Sequence, residues 1–214
     1  MDYQTDQLIR ADRDIILSII PPNSHVLDLG CGDGSLLAEL IEKKGIIGRG
    51  VDIDEHNLIT GIKRGLSVYM GDLDEGLSDY PDNLYDYVIL NQTLQVITKP
   101  EIVIKEMLRV GKYAIVGFPN FGYWSLRLHF LFGGRLPKSK ALPFEWYNTP
   151  NIHPLTILDF KKYCQSEKIT ITREEYLMFG KWRHSPLLNP LANLCAVTGM
   201  FVLKGRKKIK KKQL

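Results

Sequence analysis

The chain has 214 residues, 44% of them hydrophobic, and a formal net charge of +4; it is long and apolar enough for one sizeable core, with no compositional reason to divide it. Cys31, Cys164 and Cys195 are scattered, odd in number and without a C-x-x-C pair, so a disulfide framework and a metal site of zinc type are disfavoured and a reducing cytosol is expected. Met1 to Asp6 is polar and acidic where a signal peptide needs a basic start, and no stretch reaches the roughly 20 apolar residues of a membrane span, so a cytoplasmic chain without membrane contact is the expectation.

In chain order, the pattern predicts an amphipathic helix over about Gln7 to Ile20, stopped by Pro21-Pro22 and placed to lid the sheet or a ligand. Val26 to Leu29 reads as a short buried strand. It breaks into Gly30-Cys31-Gly32-Asp33-Gly34, after which Leu36, Leu37, Leu40 and Ile41 recur at helical spacing until Lys43, Lys44 and Gly45 close the helix. Ile46 to Val51 is a second strand ending in Asp52, with Asp54 expected to cap the next helix, and Leu66 to Met70 is a third ending in Gly71-Asp72. Leu84 to Leu90 is a fourth strand, Pro100 to Val110 a helix with Val103, Met107 and Val110 on one face, and Lys112 to Phe118 a fifth strand. A helix over Leu155 to Cys164 and strands around Ile169 to Arg173 and over Thr198 to Lys204 follow, the last two expected to form an antiparallel edge hairpin.

Such alternation implies an α/β fold in one domain over 1–214, Rossmann-like, with a mostly parallel seven-stranded sheet, helices on both faces and an antiparallel last strand. Two segments depart from it. Residues 119–154, with Phe118 just before them, form an aromatic and proline-rich insertion after the fifth strand; nine of the 21 aromatic residues lie there, including Tyr123, Trp124, Trp146 and Tyr147. Following a strand's carboxyl end, it belongs on the ligand side of an open sheet, either as a binding surface or as a cap over its own small core. Residues 205–214 form a basic tail expected to be flexible. Seven positive charges lie between Lys204 and Lys212, which leaves the rest of the chain at −3, and no basic and aromatic stripe continues into the body, so nucleic acid is an unlikely partner.

The glycine loop carries the chemistry. Glycines on alternate positions let the backbone pass close to a bound group and offer amide donors at a helix start. The dinucleotide fingerprint would need its third glycine at 35, where Ser35 stands, so nicotinamide cofactors are disfavoured. Asp28 and Asp33 add negative charge, which suits a sulfonium better than a pyrophosphate. Asp52 can accept from both ribose hydroxyls and Asp72 from the adenine amine, which points to S-adenosylmethionine. The competing reading makes the glycines a tight turn, Cys31 a small residue within it, and the two aspartates caps.

The glycine loop, the Asp52 and Asp72 strand ends and the seven ordered strands resemble the class I S-adenosylmethionine-dependent methyltransferases over essentially the whole chain. More narrowly, Asn91-Gln92-Thr93-Leu94-Gln95, Phe118-Pro119-Asn120-Phe121-Gly122-Tyr123-Trp124, Gly134-Arg135-Leu136-Pro137 and the run from Trp146 to His153 resemble the MetW family of methionine biosynthesis proteins. That resemblance implies a role beside the homoserine O-acyltransferase of MetX type, whose activity members support, with S-adenosylmethionine or S-adenosylhomocysteine as cofactor. It carries over Gly30, Gly32, Gly34, Asp52 and Asp72 as cofactor contacts and places Asn91 and Gln92 near the methyl group; Asp28, Cys31, Ile53 and Leu73 belong to the same expected set.

No catalytic residue is assigned. Methyl transfer by alignment and desolvation needs no nucleophile motif, and Asn91-Gln92-Thr93-Leu94 lacks the N-P-P-Y arrangement of amino-methylating relatives. His153 or His129 could serve as a base, the alternative for each being a structural role. Two functions follow: a cofactor-occupied protein that reports to the acyltransferase through the insertion, or an active methyltransferase of a small molecule in a pocket walled by Tyr123, Trp124, Trp146 and Tyr147.

Overall fold

The computed structural model describes residues 3–138, 142, 144–184 and 189–205. Runs such as Val26-Leu27 and Val88-Ile89-Leu90 are apolar at every position because both faces of their strands are covered, and period-two alternation divides them between two cores. Val26, Ile89, Ile115 and Met200 meet one helical layer; Leu27, Val88, Leu90, Ala114, Val116 and Phe201 meet the other.

One sheet holds β1 (His25–Leu29), β2 (Ile47–Asp52), β3 (Val68–Met70), β4 (Tyr85–Asn91), β5 (Gly111–Pro119), β6 (Thr170–Met178), β7 (Lys181–Arg183) and β8 (Thr198–Lys204). Its order is β3-β2-β1-β4-β5-β8-β6-β7, with the first five parallel and β8, β6 and β7 joined antiparallel. On one face α1 (Tyr3–Ile19) and α2 (Ser35–Lys44) bury Ile16, Leu17, Leu36, Leu37 and Leu40, with Ile20 just past α1. The other carries α4 (Pro100–Val110), α6 (Ile157–Ser166) and α7 (Asn189–Cys195), with Val103, Met107, Phe160 and Ala192 inward. Between β2 and β3 runs α3 (Glu55–Lys63), and α5 (Trp124–Gly133) follows β5. Among the described residues no helix is long and apolar enough to cross a membrane.

Two expectations need correction. The sheet has eight strands, not seven: β6 turns through Phe179 (φ 51°) and Gly180 (φ 73°) into the short β7, a two-residue turn with both residues left-handed. The strand pair expected at the edge is not one, because β8 lies inside the sheet between β5 and β6. Within the insertion lies α5, of which only Leu126 is buried.

The insertion is pinned at its root by one buried amide. Asn120 Nδ2 donates to the Asn193 and Ala196 carbonyls at 3.1 and 2.8 Å, while its Oδ1 accepts from Gly122 and Ile157 amides at 2.9 and 3.3 Å. This fixes the exit of β5 against α6 and α7. A capping box between Thr156 and Asp159 starts α6. The basic run 206–214 lies outside the described residues.

Candidate cofactor site

The carboxyl ends of β1, β2 and β4 meet at the glycine loop. Gly30 and Gly32 have φ of 68° and 55°, a backbone that L side chains rarely adopt. A Cβ on Gly30 would lie 2.6 Å from Thr93 Oγ1, whereas one on Gly32 would meet nothing within 4 Å. Gly30 is therefore glycine for the protein's own packing, and Gly32 presents bare backbone to open space.

Amide donation from the loop is directed inward, contrary to expectation. Gly30 and Cys31 amides donate to the Val51 carbonyl at 2.8 and 3.1 Å, Gly34 to the Cys31 carbonyl at 3.1 Å, and Ser35 to Asp33 Oδ1 at 3.0 Å. Gly32 donates to Asp52 Oδ2 at 2.7 Å, and Asp52 Oδ1 accepts from the Asp54 amide at 2.9 Å. Asp52 thereby locks the loop to the end of β2, and each of its oxygens keeps a second lone pair for another donor.

The two other aspartates differ in the charge they supply. Asp28, buried on β1, is pushed up to about 7 by burial and then by the charge of Asp52, so it is only partly ionised near neutrality. Burial would raise Asp33, but the Ser35 hydroxyl and amide and the Arg64 guanidinium, 2.9 Å away, hold it below the ordinary range, so it stays ionised and paired with Arg64. The Cys31 thiol fills the room that a side chain on Gly50 would need, its Sγ 2.6 Å from where that Cβ would stand. Burial, followed by the charges of Asp28 and Asp52, pushes the thiol up to about 12. It is a packing group, and only its backbone belongs to the loop.

Beyond β2, Ile53 is exposed and Asp54 caps α3 through the His56 and Asn57 amides. Asp72 is exposed after β3; its Oδ1 accepts from Asp74 and caps the short turn Leu73–Glu75, whose Leu73 packs on the core. At the end of β4, Asn91 lies over Gly117, where a Cβ would come within 2.2 Å of Asn91 Oδ1. Gln92 takes φ 57°, with its amide donating to the Gly117 carbonyl at 2.8 Å. Thr93 Oγ1 donates to the Asn91 carbonyl at 3.0 Å and so joins β4 to Gly30.

One residue of this site escaped the sequence reading. Asp12 of α1 is 4% exposed, and its Oδ2 accepts from Gln92 Nε2 at 2.9 Å and Asn91 Nδ2 at 3.4 Å. Burial raises it to about 6, opposed by those two hydrogen bonds. Its position four residues before Ile16, on the stripe that α1 buries, was the available signal. Arg13 beside it donates to Ser35 Oγ at 2.6 Å, so α1 closes over both the loop and the end of β4.

The candidate histidines and aromatics all lie in the insertion. His129 is exposed on α5, and His153 Nε2 lies 3.4 Å from the Thr98 carbonyl. Tyr123 packs with Trp124 and Trp146 with Tyr147, three of the four exposed.

A parallel β3-β2-β1-β4-β5 sheet with β8 slotted antiparallel beside β5, and a glycine loop tied to an acidic β2 end, define the class I methyltransferase fold. A Thermotoga maritima S-adenosylmethionine-dependent methyltransferase, described as a possible histamine N-methyltransferase, superposes with TM-score 0.68 at 15% identity over 94% of this chain and 91% of its own. The [4+2]-cyclase SpnF does so with TM-score 0.62 at 14% identity over 90% and 79%. Within that fold the chain belongs to the MetW family, the methionine biosynthesis protein MetW, whose family model matches residues 10–203. It is 40% identical over 181 residues to the bifunctional methionine biosynthesis protein MetXA/MetW of Rhodopirellula baltica, covering 80% of this chain and 29% of that protein. The chain thus spans under a third of the curated relative it matches.

Proposed function

We propose that this cytoplasmic protein binds S-adenosylmethionine or S-adenosylhomocysteine where β1, β2 and β4 end, and acts in methionine biosynthesis beside a MetX-type homoserine O-acyltransferase. The observation that carries the cofactor half is Gly32, with open space before it and its amide on the Asp52 carboxylate 2.7 Å away. Bare backbone next to a buried acceptor fits a ribose, with Asp72 at the neighbouring strand end for the adenine. The residues present fit the nucleoside; bound there, it would supply an electrophilic methyl group or, once demethylated, only occupancy. The same proposal takes in Asp28 and the backbones of Cys31, Ile53 and Leu73 as further contacts.

The partner half rests on the Rhodopirellula baltica protein, whose single chain carries both MetXA and MetW names. Fusion keeps two modules at high effective concentration, as expected where they work together. Exposed Phe130, Leu131 and Phe132 on α5 offer the contact face. From the far end of the insertion a hydrogen-bonded path leads to the cleft. Ile152 and His153 amides donate to the Gln95 carbonyl, Gln95 Nε2 to the Gln92 carbonyl, and Gln92 Nε2 to Asp12. Partner binding and cofactor occupancy would then shift each other reciprocally.

The test is to mix the acyltransferase with wild-type protein and with Asp52→Asn, whose amide cannot accept from both Gly32 and Asp54. Wild type should form a complex whose activity responds to the nucleoside, and the variant should assemble without that response. Identical activity and assembly for both would end the sensing reading.

A further inference from the structure

The two outer strands of the sheet are built differently. β7 ends the sheet on one side, and its Lys181 and Arg183 are exposed cations of the sort that keep another chain from adding to an edge. β3 ends it on the other side with Val68-Tyr69-Met70, uncharged throughout, and Tyr69 and Met70 are 48% and 68% exposed. The Gly50 amide donates to the Ser67 carbonyl at 2.9 Å and the Gly71 amide to the Asp52 carbonyl at 3.1 Å, so the odd-numbered residues of β3 turn their backbone groups to β2. By alternation, the amides and carbonyls of Val68 and Met70 point away from the sheet, where no described residue hydrogen-bonds to them.

The flanks of this edge favour one occupant. On one face α3 covers Val68: a Cβ on Gly61 would come within 3.2 Å of Val68 Cγ1. Arg64, which closes α3, reaches back to Asp33 in the glycine loop at 2.9 Å, so the helix flank roughly opposite, with exposed Ile59 and Ile62, overhangs the free edge. On the other face Arg49 lies over the Tyr69 ring, 5.7 Å from its centre. Charge is graded along the strand: Lys63 and Arg64 stand six and five residues before Tyr69, and Asp72 and Glu75 three and six after it. A second copy laid antiparallel meets each end with the opposite sign, whereas a parallel one would set like charge on like.

We propose that β3 is a self-docking edge, on which two copies of this chain pair antiparallel about a two-fold axis at Tyr69 and join their sheets. The register follows from which backbone groups are free. With Tyr69 facing its own copy, Val68 of each chain exchanges amide and carbonyl hydrogen bonds with Met70 of the partner subunit, and the two Tyr69 side chains meet at the close, non-hydrogen-bonded position between those pairs. A two-fold contact of this kind is self-complementary, so the patch that forms the dimer also closes it to a third chain. Leu66 of the partner subunit then stands opposite Asp72, and the second copy borders the carboxyl end of β3.

Sedimentation velocity on the full chain alone, across the micromolar range, tests it. Wild type should approach twice the 24.5 kDa chain mass as concentration rises. Tyr69→Lys sets two ammoniums against each other on the axis, and Met70→Pro removes an outward amide from each chain while sparing the bonds to β2, a place where an edge strand tolerates proline. Each should weaken association about tenfold or more and keep the circular-dichroism spectrum of wild type; the second variant serves where the first does not melt cooperatively. Tyr69→Cys reads the register. Cysteines facing each other at a non-hydrogen-bonded antiparallel position are within disulfide reach, so mild oxidation should give an intermolecular disulfide that Lys181→Cys on the opposite edge does not. A dimer weakened by either substitution and trapped through Tyr69→Cys upholds the proposal. A monomeric wild type at every concentration overturns it, as does a dimer that neither substitution weakens, whose contact would lie on another face such as α5.

Discussion

Replacing Gly32 with alanine should separate folding from ligand binding. At φ 55° an alanine costs about 1–2 kcal/mol, and its Cβ meets nothing within 4 Å, so no packing penalty adds to the strain. Each kcal/mol lowers the melting temperature by roughly 2–4 °C in a chain of this size, and the variant should melt cooperatively a few degrees below wild type. Gly30→Ala carries the same strain and also drives a methyl to within 2.6 and 2.8 Å of Thr93 Oγ1 and Cγ2. Overpacking of that kind adds about 1–3 kcal/mol, because Thr93 is held by the Asn91 carbonyl. Thermal denaturation and calorimetry with S-adenosylhomocysteine on the two variants are the assays. Gly32→Ala should lose affinity about tenfold or more, since each 1.4 kcal/mol is a factor of ten, while remaining the more stable of the pair. Wild-type affinity in Gly32→Ala would refute the reading of that open space as the ligand's, and a stability loss equal to that of Gly30→Ala would refute the reading of it as open.

Asp12 and Asp28 titrate at about 6 and about 7 in the fold against 3.8 when unfolded, so the folded state holds the extra protons between those values and stability falls as pH rises through them. Asp12→Asn removes its share: by urea denaturation it should exceed wild type by about 3 kcal/mol near pH 8 and by little near pH 4, and a pH-independent difference would contradict this. Asn120→Ala strands two buried carbonyls and two amides, for a loss of about 3–5 kcal/mol measurable by chemical denaturation; a loss under about 1 kcal/mol would show that the root of the insertion is held elsewhere. Phe132→Glu, at a site 81% exposed, should leave the melting temperature nearly unchanged and weaken acyltransferase association about tenfold or more in sedimentation experiments. Undiminished association would move the contact face off α5.

The sequence displayed β1 and its loop because β1 is apolar and buried over Val26, Leu27 and Leu29, and a glycine closes it. Val26 to Gly34 is legible for that reason, down to the place where the strand ends. The direction of the loop's amides was not, since whether Gly32 donates to a ligand or to Asp52 depends on a strand twenty residues later. Asp12 was hidden by distance: nothing near it in the chain shows that α1 brings it to Gln92, eighty residues away. Toward the β7 edge of the sheet, β6 runs past Arg173 into Glu174 and Glu175, charges that break the alternation. Glu175 is buried there against Arg173 at 2.7 Å and His184 at 3.5 Å. Trp124 to Gly133 gave no amphipathic pattern because α5 is apolar on nearly every side, the pattern of a helix that covers little of its own protein.

The location of β8 sets a timetable for biosynthesis. On the ribosome, β1 to β5 can zip together as they emerge, whereas β6 and β7 have no neighbour to dock on until residues 198–204 arrive and pair with β5 on one side and β6 on the other. Until then the outer hairpin and the bare edge of β5 are sticky surfaces of the sort that recruit chaperones. A stop codon before position 198 would therefore leave two incomplete half-sheets instead of a slightly shortened protein.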